Sequence, residues 1–167
     1  MRDKLRLVVD AYCNRSCEGC CNNDHDLEAL PVVDGYEGYN SVILTGGEPM
    51  LFQNTLMNIC QDVRDQNSDA KIILYTAKSK RAMDLVAMLH WVDGITLTLH
   101  EPYDLQPFIE LNNIIKTRQW NKSLRLNVFK PIDMTGVDTG QWDVHDEMEW
   151  IVDCPLPVGE ELRRYWP

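Results

Sequence analysis

The segment Leu5-Arg6-Leu7-Val8-Val9-Asp10-Ala11 runs, after Tyr12, into Cys13-Asn14-Arg15-Ser16-Cys17-Glu18-Gly19-Cys20. The first part is apolar and Val-rich, which predicts a buried strand. The second part is a cysteine-bearing loop placed directly at that strand's end. The same sequel recurs downstream. Ser41 to Thr45 (Ser-Val-Ile-Leu-Thr) predicts a second strand, and Gly46-Gly47-Glu48-Pro49 follows it at once. Lys71 to Thr76, Ile95 to Leu99 and Leu124 to Phe129 predict a third, fourth and fifth strand, and Glu149 to Val152 a sixth.

Helical stripes lie between several of these runs. Leu56, Ile59, Cys60 and Val63 recur at i, i+3, i+4 and i+7, as do Ala82, Leu85, Val86 and Leu89. Ser79 stands where it could cap the second stripe. Phe108, Leu111, Ile114 and Ile115 predict a third helix, with Asp104 near its start. Strand starts at 5, 41, 71, 95, 124 and 149 suit five or six parallel βα units. Two connections break the rhythm. Residues 22–40 hold Pro31, Gly35 and Gly38, and residues 133–148 are acidic with Gly136 and Gly140. Both read as loops or very short helices. The expected architecture is α/β with largely parallel strands in a single domain over residues 1–167. Its core covers about residues 4–130, and an acidic C-terminal segment covers 131–167.

The chain has 167 residues, enough to bury a core without disulfide staples. A full eightfold barrel needs roughly 250 residues, so a complete one is excluded. Sixteen Lys and Arg stand against 26 Asp and Glu, a formal charge of −10. Such a chain is a poor match for phosphate-driven nucleic-acid binding or for an anionic membrane surface. No apolar run approaches the roughly 18 residues of a membrane span, and Asp10 interrupts the first apolar run as no signal peptide would allow. The expected location is the cytoplasm, where clustered cysteines bind metal more often than they form disulfides.

Six cysteines are present, and four lie within nine residues: Cys13, Cys17, Cys20 and Cys21. Three thiolates on one loop can hold three corners of a cubane iron–sulfur cluster, and the usual fourth cysteine is absent from the motif. An iron left open in this way can bind a substrate or cofactor. The alternative is a structural zinc site with four closed ligands, for which Cys21 or His25 could be the fourth. Cys60, on an apolar helical stripe, reads as core. Cys21 reads as a bystander and Cys154 as a buried small residue or a substrate-side thiol. The scattered Met and Trp residues read as core. The Gly46-Gly47 turn lets the backbone bend sharply and approach a ligand closely, and Glu48 adds a carboxylate acceptor. Both motif loops follow strand ends, where active sites of parallel α/β folds collect.

Together and in order, the CxxxCxxC loop and the Gly-Gly-Glu-Pro turn, 26 residues apart from Cys20 to Gly46, resemble the radical S-adenosylmethionine (radical SAM) superfamily. The motifs cover Leu5 to Pro49, and strand rhythm extends the likeness to about Lys130. The resemblance implies a partial, trimmed (β/α)6 barrel. It implies a 4Fe–4S cluster on Cys13, Cys17 and Cys20, with S-adenosyl-L-methionine on the fourth iron and its amino group received by Gly46, Gly47 and Glu48. It implies reductive cleavage to a 5′-deoxyadenosyl radical that abstracts hydrogen, under anaerobic conditions, with a reducing partner such as flavodoxin or ferredoxin. Thr76, Lys78 and Ser79 after the third strand are expected to contact the carboxylate or ribose of the cofactor. Asn127 in the fifth is expected to meet its ribose or adenine. His100, Glu101 and Tyr103 after the fourth strand and Lys130 after the fifth are further polar candidates.

Cys-x-Gly-Cys followed closely by Asn22 is similar to the small activating enzymes of glycyl-radical proteins. The chain departs from the family in having Gly19 where many relatives carry an aromatic, and in nearly lacking a helix between its first two strands. A partner protein substrate or a dimer mate would close the open side of a trimmed barrel. The alternatives are small-molecule modification, as in 7-carboxy-7-deazaguanine formation, and a non-catalytic iron–sulfur or zinc protein.

Overall fold

The computed structural model describes residues 3–167. Seven strands form: β1 (Lys4–Val8), β2 (Ser41–Thr45), β3 (Lys71–Thr76), β4 (Gly94–Leu99), β5 (Ser123–Phe129), β6 (Asp143–Met148) and β7 (Glu160–Arg164). Three α-helices accompany them: α1 (Gln53–Gln66), α2 (Ala82–Met88) and α3 (Leu105–Ile115). The fold is α/β, as the alternation of apolar runs and helical stripes predicts. The chain divides into two compact units. One is the chain up to Leu74 together with Trp150–Pro167, and the other is Tyr75–Glu149.

In the first unit β1 pairs in parallel with β2 on one side and with β7 on the other, and β2 pairs in parallel with β3. Leu5, Leu7, Val8, Val42, Leu44, Ile72 and Leu74 are buried. The α1 stripe falls as the sequence predicts, with Leu56, Ile59, Cys60 and Val63 inside. Each fully buried large aliphatic there contributes about 1.5–3 kcal/mol relative to exposure. Residues 21–40 carry two one-turn helices, Cys21–Asp24 and Leu27–Ala29, and no α-helix.

In the second unit β4, β5 and β6 pair in parallel in that order. Helix α3 buries Phe108, Leu111 and Ile115. Asp104, itself buried, accepts the backbone N–H groups of His100 (2.9 Å) and Glu101 (3.0 Å), so it fixes the turn that leads from β4 into α3. Helix α2 buries Leu85 and Met88.

Three local expectations are corrected. The sixth strand is not at 149–152. It is β6, drawn from the segment expected to be a loop, and a seventh strand follows at Glu160. Both are polar in sequence and half-exposed, because each lies beside one strand of its unit and buries little of its surface. In β7 the charged side chains are matched individually. Arg6 Nε donates to Glu160 (2.7 Å), the Tyr39 hydroxyl donates to Glu161 (2.7 Å), and Arg164 Nε donates to the Leu30 carbonyl (2.9 Å). Ser79 does not cap α2. Arg81 holds the N-cap position in a left-handed conformation (φ 63°) and its guanidinium pairs with Asp84 at 3.0 Å. The Trp residues are not uniformly core: Trp142 is buried, whereas Trp91 and Trp150 are exposed.

Candidate functional site

The parallel pairing of β1 and β2 does not stop at the strand ends. Val9 N–H bonds the Thr45 carbonyl (2.8 Å), Gly47 N–H the Asp10 carbonyl (2.9 Å) and Glu48 N–H the Tyr12 carbonyl (2.9 Å). The start of the cysteine loop and the Gly-Gly-Glu turn are therefore zipped together, backbone to backbone. This explains the glycines. Gly46 has φ +142°, which L side chains rarely adopt, and a Cβ there would stand 2.6 Å from the Asp10 carbonyl oxygen. A Cβ on Gly47 would overlap the Tyr12 carbonyl and stand 2.7 Å from that of Ala11. The close approach expected at this turn is thus made first of all to the neighbouring loop of the chain itself.

Glu48 is 3 % exposed. Its Oε1 accepts the Met50 N–H at 2.9 Å, capping the one-turn helix Pro49–Met50–Leu51. Asn22 adds a side-chain tie between the loops, its Nδ2 donating to the Gly46 carbonyl at 2.5 Å. Asn23 closes the cysteine loop on itself, donating to the carbonyls of Cys17 (3.1 Å) and Glu18 (2.9 Å).

Cys13, Cys17 and Cys20 are unbridged, half-buried thiols. All three line one cleft of about 420 Å³, together with Asn22, Asn23 and Gly47. The cysteine loop and Gly47 of the glycine turn therefore open onto the same space. Burial, with the charges of Glu48 and Cys20 adding to it, holds the Cys13 thiol above its ordinary pKa, while the Arg15 N–H on its sulfur (3.4 Å) works the other way. Among the described residues, no group of three or more His, Cys, Asp and Glu side chains is drawn together as metal ligands. The three thiols share a cleft without converging on one point. Cys60 is buried on α1, as its stripe position predicts.

The reading of Cys21 and Cys154 is corrected. They form a disulfide across 133 residues of sequence, with Cα atoms 5.4 Å apart. Cys21 is thus no bystander, Cys154 is no buried small residue, and not every clustered cysteine is a reduced thiol. One residue before the loop's third cysteine a second long-range contact occurs: Trp150 lies on Gly19, so that a Cβ on Gly19 would stand 2.6 Å from the indole Cδ2. Sequence reading missed this contact, the disulfide and the role of Asn22. The one available signal was the apolar run Trp150-Ile151-Val152 with Cys154 inside an otherwise acidic segment.

The remaining candidates belong to the second unit, or in the case of Thr76 to the end of β3 that enters it. Thr76 is buried and its Oγ1 accepts the Lys78 N–H (3.0 Å), while Ser79 is buried in the same connection. Asn127 is held within its sheet, accepting from Arg125 Nε (2.9 Å) and donating to Thr98 Oγ1 (3.5 Å). The His100 ring lies 4.8 Å from that of Phe129, Tyr103 is exposed, and Lys130 pairs with Glu149 at 2.6 Å. No helix among the described residues is long and apolar enough to cross a membrane. No protein-family model matches the chain, and no curated protein matches it.

Proposed function

We propose that the chain is a radical SAM enzyme, with Cys13, Cys17 and Cys20 as the thiolate ligands of a 4Fe–4S cluster. In this reading the Gly46-Gly47-Glu48 turn receives the amino end of S-adenosyl-L-methionine. One observation supports it: the three cysteines of the CxxxCxxC loop and Gly47 of the Gly-Gly-Glu turn, separate in sequence, line a single cleft. The donor set suits the group, since three soft thiolates select iron–sulfur and leave a coordination position for another ligand. When bound, cluster and cofactor supply one-electron cleavage to a carbon radical that takes a hydrogen atom from substrate.

The chain's own residues then have defined tasks. The three cysteines must bind as thiolates, so loading releases protons, and at Cys13 burial and the neighbouring Glu48 charge both favour the thiol form. Asn22 and the zipped backbones fix the turn against the start of the cysteine loop, which limits how far the two sets of ligands can drift apart. Glu48 offers a carboxylate to an amine where water is largely excluded, which strengthens that interaction.

The test is anaerobic reconstitution of the full chain with iron and sulfide, followed by reductant and S-adenosyl-L-methionine. The expected result is equal incorporation of iron and sulfide and formation of 5′-deoxyadenosine. Cys17→Ala should abolish both, and Cys60→Ala should abolish neither. A fully loaded cluster that never yields 5′-deoxyadenosine would overturn the enzyme assignment, and tight zinc on four protein ligands would replace it.

A further inference from the structure

The Cys21–Cys154 disulfide and the Trp150 contact act at the same place. Cys21 follows directly on Cys20 and precedes Asn22, whose side chain holds the Gly46 carbonyl. Gly19 lies between Cys17 and Cys20, and its open face is filled by the Trp150 indole. The segment that reaches this spot, Trp150 to Cys154, has no helix or strand. It is poorly buried, with Trp150 at 41 %, Ile151 at 60 % and Val152 at 83 % exposure, and Asp153 is in the left-handed region at φ 57°. Ile151 and Val152 bury little of their surface, so the sulfur–sulfur bond at Cys154 is a main tie of this segment to the cysteine loop. Its downstream anchor is β7, which begins at Glu160.

We propose that Cys21 and Cys154 form a thiol-operated latch that clamps the segment Trp150–Cys154 over the cysteine loop and controls access to the cleft of Cys13, Cys17 and Cys20. Its operator is a dithiol reductant. One thiolate of the reductant attacks one sulfur of the Cys21–Cys154 bond and the other cysteine leaves as a thiolate. The reductant's second thiol then displaces the first, giving two protein thiols and an oxidised, disulfide-form reductant. Two electrons pass from reductant to protein, and two protons complete the thiols. With the bond open, the segment keeps the contacts of Trp150 but loses its covalent tie, and the exposed stretch from Ile151 to Cys154 frays as weakly packed segments do. Gly19 is uncovered and the loop gains the freedom to close on a ligand. Oxidation restores the clamp. Gly19 is required in this arrangement because any side chain there would displace the indole.

The latch rests on the preceding reading only for what the cleft holds, and its test needs no cluster. The full chain is isolated without reductant, divided, and one half treated with dithiothreitol and desalted. Each half is pulse-labelled with iodoacetamide and the label at each cysteine is read by peptide mass spectrometry. In the untreated half Cys21 and Cys154 should be recovered as one cross-linked peptide. In the treated half both should carry label, and Cys17 and Cys20 should react about tenfold faster, the change expected when a local clamp is released. Cys154→Ser should show the fast rate without reductant. Equal rates at Cys17 and Cys20 in the two halves, or no cross-linked peptide after air oxidation, would overturn the latch. Iron and sulfide incorporation is measured separately. Labelling that switches in a chain that loads no iron keeps the latch and rejects the cluster, and iron loading without a labelling switch does the reverse.

Discussion

Replacing Gly47 with alanine tests whether the glycine turn is set by the neighbouring loop. The new Cβ would overlap the Tyr12 carbonyl and lie 2.7 Å from the Ala11 oxygen, and both obstacles are backbone, so no side chain can swing away. The Ala11–Tyr12 segment must retreat, and in doing so it stretches the bonds Gly47 N–H to Asp10 and Glu48 N–H to Tyr12, each 2.9 Å. Two such bonds contribute about 0.5–1.5 kcal/mol each, and residual crowding costs about 1–3 kcal/mol. Against this, alanine stiffens the unfolded chain and returns about 0.4–1 kcal/mol. The net loss is about 3 kcal/mol, and for a chain of this length each kcal/mol lowers Tm by about 2–4 °C, a fall of about 6–12 °C. Gly38→Ala is the control. Gly38 has φ +81° and nothing within 4 Å of its would-be Cβ, so that variant carries only the left-handed penalty, about 1–2 kcal/mol less the same entropy gain. Thermal unfolding followed by circular dichroism ranks the two. If Gly47→Ala melts no lower than Gly38→Ala, the loop contact does not explain the glycine.

Two further outcomes follow from single side chains. Glu48→Ala should lose the cap on the Met50 N–H and about 0.5–2 kcal/mol in urea unfolding, whereas Glu48→Gln, which keeps an acceptor oxygen, should stay near the parent in stability yet weaken S-adenosyl-L-methionine binding measured by calorimetry. Tyr36 is 4 % exposed, and burial, with the Asp62 charge second, raises its phenol far above the ordinary value. Its folded pKa exceeds its unfolded one, so its contribution to stability is whole below pH of about 10 and declines as pH rises beyond it. Tyr36→Phe should therefore flatten the alkaline limb of the stability–pH curve, and an unchanged limb would show that Tyr36 does not govern it.

The strands β1 to β5 were legible because parallel strands buried on both faces need continuous apolar residues, and Leu7-Val8-Val9, Val42-Ile43-Leu44 and Ile72-Ile73-Leu74 have no other economical use. The helices were legible from their stripes, and Asp104 from its place before one. β6 and β7 were not. Asp-Val-His-Asp-Glu-Met and Glu-Glu-Leu-Arg-Arg bury little, and their pairing depends on partners far away in the chain, as when Arg6 meets Glu160. The cysteine loop and glycine turn were legible as motifs because each is local. What lies across from them was not: the Tyr12 carbonyl against Gly47, Trp150 against Gly19 and Cys154 against Cys21 are contacts that no spacing rule reports.

This changes what the glycines of the turn signify. Gly46 and Gly47 would be required even in a chain that bound nothing, because the two loops approach more closely than a Cβ allows. Glu48 is different. Capping a one-turn helix is done as well by Ser, Asp or Asn, each smaller and with less to desolvate. Glu48, at 3 % exposure, already caps the Met50 N–H, and under the proposed function it would also receive the amine of the ligand. The glycines bring the two loops together, and the role proposed for the glutamate beyond its cap is what the Glu48→Gln variant tests.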